Sequence, residues 1–439
     1  MNYWNEMILT LKELISYNTT RGKSAPNAPF GANNRAALSS ALETAERLGF
    51  VTKDIEGYAG HIEWTGSGDE LVGILGHLDV VPAGEGWDVP PYELTEKDGY
   101  LYGRGILDDK GPVVACLYAM KRLKDEGFVP KKTIRLIMGC NEENGSTCIH
   151  RYFQTEQMPD VAFSPDGDFP LIHCEKGIVW VGASFNTKLK TFQNFHCGEK
   201  TNMVPSKAVC EYTGNLPTEF FIEKGLNAVL NDETKVMTLT ARGKSAHGST
   251  PNKGINAIAK LLKVVSATEQ NEYFDYLVKA FGSDLDGSGA EIKSEDVKSG
   301  KLTLNLGTLE SDGDNFAVSV DVRYPISITE KSIFDTLNEN APKGMKLESL
   351  NSQEGLFVDP DSDLVQTLLK IYHDVTGSQS PSISIGGGTY ARELKCGVAF
   401  GPIFEGEEST IHMPNERASV ENFKKMFEIY YRAIKEMAE

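Results

Sequence analysis

The seven cysteines of the chain, Cys116, Cys140, Cys148, Cys174, Cys197, Cys210 and Cys396, include no Cys-x-x-Cys pair. An odd, scattered set suits a reducing compartment and argues against a disulfide framework or zinc-finger chemistry. These residues read as small apolar core groups. Long apolar runs are also missing, since none approaches the roughly 20 residues that span a bilayer. The segment Met1-Asn2-Tyr3-Trp4-Asn5-Glu6-Met7 has no basic stretch and no cleavable apolar core, so no signal peptide is expected. Trp4, Met7, Ile8, Leu11, Leu14 and Ile15 recur instead at the spacing of an amphipathic helix. Positive charge is scarce: 44 Lys and Arg against 62 Asp and Glu give a net charge of −18. That balance argues against nucleic acid or an anionic membrane as partner and fits a cytoplasmic protein. Internal repeats and low-complexity linkers are absent as well.

What is present is enough chain, 439 residues with 40% apolar, for two domains with their own cores. Residues 71–75, 133–138 and 161–164 are short apolar runs of the kind expected of buried parallel strands. Between the first two, Gly111-Pro112 opens a helical pattern with proline near its start, where a missing N–H costs little. Strands alternating with helices predict an α/β domain with a mostly parallel central sheet flanked by helices. After Ile178 the texture changes. Alternating strands at 209–212, 235–241, 302–307 and 317–323 interleave with helices at 254–265 and 331–338, which predicts an inserted α+β lid domain on an antiparallel sheet. A strand and glycine turn at 382–388 and a helix at 421–437 return to the first domain. The expected division is 1–177 with 356–439, and 178–355 between them.

Three segments carry the chemistry: Gly76-His77-Leu78-Asp79, Gly105-Ile106-Leu107-Asp108-Asp109-Lys110-Gly111 and Asn141-Glu142-Glu143-Asn144-Gly145. His77, Glu142 with Glu143, and Asp166 each follow one of the apolar runs, and functional groups collect at the carboxyl ends of parallel strands. A pair of divalent cations roughly 3.5–4 Å apart needs one carboxylate that bridges them and a few terminal ligands. Asp108 suits the bridge, and His with Asp or Glu suits zinc, manganese or cobalt. Asp79, two residues past His77, is placed to accept the other ring N–H and fix the tautomer. Of Glu142 and Glu143, one can bind metal while the other serves as general base.

The stretches HLDVVP, GRGILDDKGP and CNEENGS, with a late histidine, resemble the co-catalytic dinuclear metallopeptidases related to aminoacylase, succinyl-diaminopimelate desuccinylase and carboxypeptidase G. The resemblance covers nearly the whole chain. Ala28-Pro29-Phe30-Gly31, Gly86-Trp87, Ser164-Pro165-Asp166 with Asp168-Phe169-Pro170, and Gly386-Gly387-Gly388-Thr389-Tyr390 resemble its dipeptidase V (Xaa-His dipeptidase) branch. The resemblance implies two divalent metal ions per chain, zinc first and manganese or cobalt as alternatives. His77 and Asp166 would hold one, Glu143 and His412 the other, with Asp108 as bridge and a cis peptide after it. Glu142 would be the general base acting on a hydroxide that bridges both metals. In the lid, Gly243 to Pro251 matches the family motif, so His247 would donate to the tetrahedral oxyanion. Asn202 and Arg323 would hold the substrate carboxylate, joined by backbone N–H groups of Gly387 and Gly388.

Each of these residues also has a plainer reading. His247 and His412 could be loop histidines, and Arg323 could simply pair with Asp321. His61, His150, His173, His196 and His373 lack a motif and read as structural or solvated. The expectation is therefore a monomeric dipeptidase that takes small peptides with a free C-terminal carboxylate and closes about a hinge. The alternatives are an N-acyl amino acid deacylase of the same family, or a metal-binding peptide sensor without turnover.

Overall fold

The computed structural model describes residues 3–439; Met1 and Asn2, at the head of the N-terminal segment read above, lie outside them. The chain divides into two compact units. One runs to His173 and resumes over Phe357–Ile383 and Gly388–Glu439, while the other comprises Cys174–Leu356 with Ser384–Gly387. The tetrapeptide Ser384–Gly387, which the sequence places with the first domain, groups with the second unit. Its backbone explains this: the carbonyl of Ile385 accepts the Lys176 N–H at 3.1 Å, and that of Gly386 accepts Arg323 Nη1 at 3.5 Å.

In the first unit, Thr133–Gly139, Leu71–His77, Val161–Ser164 and Gly397–Ala399 lie side by side as parallel strands. Ala59–Trp64 and Val51–Ile55 extend the sheet as antiparallel neighbours. Every residue of Leu71–His77 is buried. That is why this strand reads as a continuous apolar run rather than an alternating one: both faces of the sheet are covered. Lys110–Asp125 packs on this strand and against Val420–Ala438 and Tyr3–Ser16. The last helix buries Phe423, Met426, Ile429, Tyr430, Ala433, Ile434 and Met437, a stripe recurring every three to four residues. Fully burying such a side chain contributes about 1.5–3 kcal/mol. Tyr3–Ser16 buries Met7, Leu11, Leu14 and Ile15 by the same spacing.

The second unit is built on an eight-stranded sheet in which all neighbours are antiparallel. Ala257–Thr268 and Glu272–Phe281 pack against its strands. The side chains of Asn256 and Asn271 accept backbone N–H groups at the starts of these two helices. The core centres on Phe185, Phe195, Phe274 and Phe316, with Phe185 and Phe316 stacked at 5.2 Å and Phe274 edge-on to Phe316 at 5.3 Å. In the strand Asn315–Tyr324, Ser319, Asp321 and Arg323 alternate with those core residues and are nevertheless buried. Among the described residues, no helix is long and apolar enough to cross a membrane.

Candidate metal centre

His77 is the last residue of its strand and is fully buried. Gly76 lets a helix approach at this point: a Cβ there would lie 2.4 Å from Val113 and 2.5 Å from Asp109 Oδ2. The same Asp109 oxygen accepts the His77 backbone N–H at 3.1 Å. His77 Nδ1 lies 3.0 Å from the Asp79 backbone carbonyl, whereas the Asp79 carboxylate is 3.6 Å away. The ring proton thus belongs on Nδ1, but the carbonyl, not the expected carboxylate, holds it. The carboxylate is engaged elsewhere: Oδ1 accepts the N–H of Glu142 at 2.9 Å and Oδ2 that of Glu143 at 3.1 Å. One side chain therefore sets the turn that follows Thr133–Gly139.

His77 Nε2 is 2.9 Å from Asp108 Oδ1 and 4.0 Å from Asp166 Oδ2. On the other side, His412 Nε2 lies 2.8 Å from Asp108 Oδ2 and 3.0 Å from Glu143 Oε1. Ligand-type atoms gather into two sets, one from His77, Glu142 and Asp166 and the other from Asp108, Glu143 and His412, each within 4.8 Å. Asp108 touches a histidine of both sets, one with each oxygen, and its peptide bond to Asp109 is cis. His412 takes up a left-handed conformation, φ 62°, in a turn closed by the Met413 N–H on the Thr410 carbonyl at 3.1 Å.

The chemistry of this donor set fits divalent cations. His77 Nε2 is buried and has no hydrogen-bond partner despite its 2.9 Å approach to Asp108, the position of a lone pair that faces an ion rather than a proton. The acids crowd one another. Burial, then the charge of Asp166, pushes Glu142 well above the usual carboxylate range. Burial, then Asp108, raises Glu143 to about 7 and Asp166 to about 6. Burial opposes charge on His412, yet its contacts with Asp108 and Glu143 raise it to about 11. Bound positive charge relieves that crowding.

Residues without an expected role complete the pocket. The Tyr390 ring stands edge-on to His77 at 6.0 Å, its backbone N–H serves the Asp166 carboxylate, and its hydroxyl is 3.2 Å from Cys148 Sγ. Glu416, four residues past His412 and fully buried, holds the Asp108 loop through its backbone. Only its proximity to His412 in sequence could have pointed to it.

In the second unit, the expected lid residues form their own cluster. Ser249 lies against His247 Nδ1 with its hydroxyl at 2.7 Å and its backbone N–H at 3.2 Å. Met203 bridges His247 as an isolated antiparallel pair, and the Gly248 N–H donates to the Asn202 carbonyl at 2.7 Å. A Cβ at Gly248 would sit 2.3 Å from Asp321 Oδ2, so only glycine allows this approach. Arg323 grips Asp321 with Nε at 2.7 Å and Nη2 at 2.9 Å. The plain pairing with Asp321 is therefore real, and Nη1 points away from it, to the Gly386 carbonyl at 3.5 Å. Gly387 lies in the second unit and Gly388 in the first; at Gly388 a Cβ would meet the Arg392 guanidinium at 2.6 Å.

Comparison with known proteins places the chain in a family. The model of peptidase family M20/M25/M40 matches residues 73–436. "Putative dipeptidase YtjP" of Bacillus subtilis (strain 168) is 36% identical over 456 residues, covering 99% of this chain and 97% of that protein. Among solved structures, human carnosine dipeptidase 1 superposes with a TM-score of 0.59 at 17% identity, covering 99% of this chain and 96% of that one. Aminoacylhistidine dipeptidase from Vibrio alginolyticus gives 0.60 at 13% identity, with 99% and 96% covered. At such identities these two likenesses speak for the fold alone.

Proposed function

The chain belongs to peptidase family M20/M25/M40, and from that premise we propose that it is a metal-dependent dipeptidase whose first unit is catalytic and whose second is a lid. Its substrates are small peptides with a free C-terminal carboxylate. The observation that carries this reading is the divided acid pair. Asp79 fixes both backbone N–H groups, and the two carboxylates then part company, Glu142 to the side of His77 and Asp166, Glu143 to the side of Asp108 and His412.

His77 and Asp166 would hold one divalent cation and Glu143 and His412 a second, with Asp108 shared between them. Bound there, such cations supply Lewis acidity and lower the pKa of water. Glu142 takes the proton of the attacking water and passes it to the leaving amine. His247 offers its Nε2 proton to the oxyanion, with Nδ1 turned to the Ser249 hydroxyl and backbone N–H. Arg323, through Nη1, and Asn202 bind the terminal carboxylate, aided by backbone N–H groups at Gly387 and Gly388. Asp321 keeps the fork from rotating. A fixed carboxylate site limits substrate length.

The test is a panel of dipeptides and N-acetyl amino acids offered to metal-stripped protein reloaded with zinc or manganese. Dipeptides are expected to turn over only after reloading. Turnover of acyl amino acids with none of dipeptides makes the protein a deacylase, and binding of the metals without turnover of either makes it a sensor.

A further inference from the structure

Two segments far apart in sequence deliver Asp108 and His412, and one buried carboxylate joins them. Glu416 has no exposed surface. Its Oε1 accepts the N–H of Leu107 at 2.9 Å and of Asp108 at 3.3 Å. The Gly105 N–H lies 3.1 Å from both oxygens, and Arg104 Nη1 donates to Oε2 at 2.7 Å. Three backbone N–H groups converging on one point make an anion cradle, and here a side chain of the protein fills it. Gly105, with φ +90°, allows the loop to fold inward. The Glu416 carbonyl also accepts the Gly103 N–H at 3.1 Å.

The segment that carries Glu416 is fixed on both sides. Thr410 Oγ1 accepts the Arg417 N–H at 3.1 Å, closing the turn that bears His412. Asn415 Oδ1 accepts the Asp88 N–H at 2.8 Å. Arg417–Ser419 then pairs with Tyr100–Tyr102 as an antiparallel strand. The 2.8 Å approach of His412 Nε2 to Asp108 Oδ2 is thus set by a short rigid path through Glu416.

We propose that Glu416 is a positioning residue for the metal centre: its carboxylate clamps the backbone of the Asp108 loop to the His412 turn and so sets the spacing of these two ligands. It touches neither substrate nor cation. The proposal rests on the reading of Asp108 and His412 as ligands of one cation.

Glu416→Gln keeps size and shape but turns an N–H donor toward a cradle of N–H donors. Glu416→Asp keeps the charge and withdraws it by one methylene. Metal affinity and stoichiometry, read by competition with a chromophoric chelator, are expected to fall about 10- to 100-fold in Glu416→Gln and by less in Glu416→Asp. In the metal-saturated enzyme kcat falls more than KM changes. Ser362→Ala, which removes a helix cap elsewhere in the first unit, is the control for simple destabilisation and keeps wild-type affinity. If Glu416→Gln does not fold, Glu416→Asp decides alone. Wild-type affinity in the folded Glu416 variants, or an equal loss in Ser362→Ala, overturns the proposal. Failure of the wild-type protein itself to bind divalent cations overturns the metal reading instead.

Discussion

Replacing Asp79 by asparagine separates two ways in which that residue can act. The sequence suggests that its carboxylate orients His77; the structure gives that task to its backbone carbonyl, 3.0 Å from Nδ1, and spends the carboxylate on the Glu142 and Glu143 N–H groups at 2.9 and 3.1 Å. In Asp79→Asn the carbonyl is untouched. The side chain keeps one oxygen for one N–H and turns an NH2 toward the other. At least one charge-assisted hydrogen bond is lost, worth about 1.5–3 kcal/mol. Expressed in the placement of the general base, this is a fall of about 10- to 150-fold in kcat/KM at roughly 1.4 kcal/mol per decade. The assay is steady-state dipeptide hydrolysis at saturating metal, with a crystal structure of the variant. The turn bearing Glu142 and Glu143 is expected to shift while the His77 ring stays in place. Activity within threefold of wild type, or a rotated His77 above an unmoved turn, refutes the reasoning.

Glu142→Gln is expected to lower kcat by about 100- to 10,000-fold while both cations remain bound in a chelator competition; retention of full activity removes Glu142 from the mechanism. Arg323→Lys cannot both grip Asp321 and present a further donor, so KM for dipeptides should rise by about tenfold or more with kcat little changed; an unchanged KM shows that the substrate carboxylate binds elsewhere. His61 titrates in the acid limb of stability. Burial, then the charge of Arg135, lowers its pKa from 6.5 to about 4, and its Nδ1 is 2.7 Å from the Tyr152 hydroxyl. The folded protein therefore keeps His61 neutral where the unfolded chain binds a proton. Stability is complete above pH 6.5 and declines as pH falls toward 4, by at most about 3 kcal/mol. Urea midpoints between pH 4 and 7 should fall less steeply in His61→Gln than in wild type, and parallel curves contradict this assignment.

The candidate metal ligands were legible because side-chain type and strand position both mark them. His77, Glu142 and Glu143 follow apolar runs that the sheet does bury, and the buried parallel strands announce themselves by lacking alternation. The antiparallel strands of the second unit were legible by alternation, although the buried polar face of Asn315–Tyr324 read only as half-exposed. What the sequence could not carry is contact through the backbone. Asp79 and Glu416 act on N–H groups, which every residue but proline possesses, so no pattern of residue types records the pairing. Glu416 and Asp108 are 308 positions apart. The nearer contact of His77 with the Asp79 carbonyl than with its carboxylate, 3.0 against 3.6 Å, escapes the sequence for the same reason.

Hydrogen-bond partners separate several acids of this protein by task. Asp79, Asp321 and Glu416 are 1%, 0% and 0% exposed, and each is fully engaged by N–H groups or a guanidinium. Such carboxylates are too well solvated by the protein to serve as base or ligand, because any gain at a cation would cost the donors they leave behind. Glu142, Glu143 and Asp166 are only partly buried and lie against further acids, Glu142 beside Asp166 and the other two beside Asp108. The division follows from one physical rule: a carboxylate that the fold satisfies holds something in place, and a carboxylate that the fold leaves unsatisfied awaits a cation, a proton or a substrate. By that rule the buried residue on which the Asp108–His412 spacing most depends is not one of the ligands themselves but Glu416, and its substitution should weaken metal binding more than any loss of global stability accounts for.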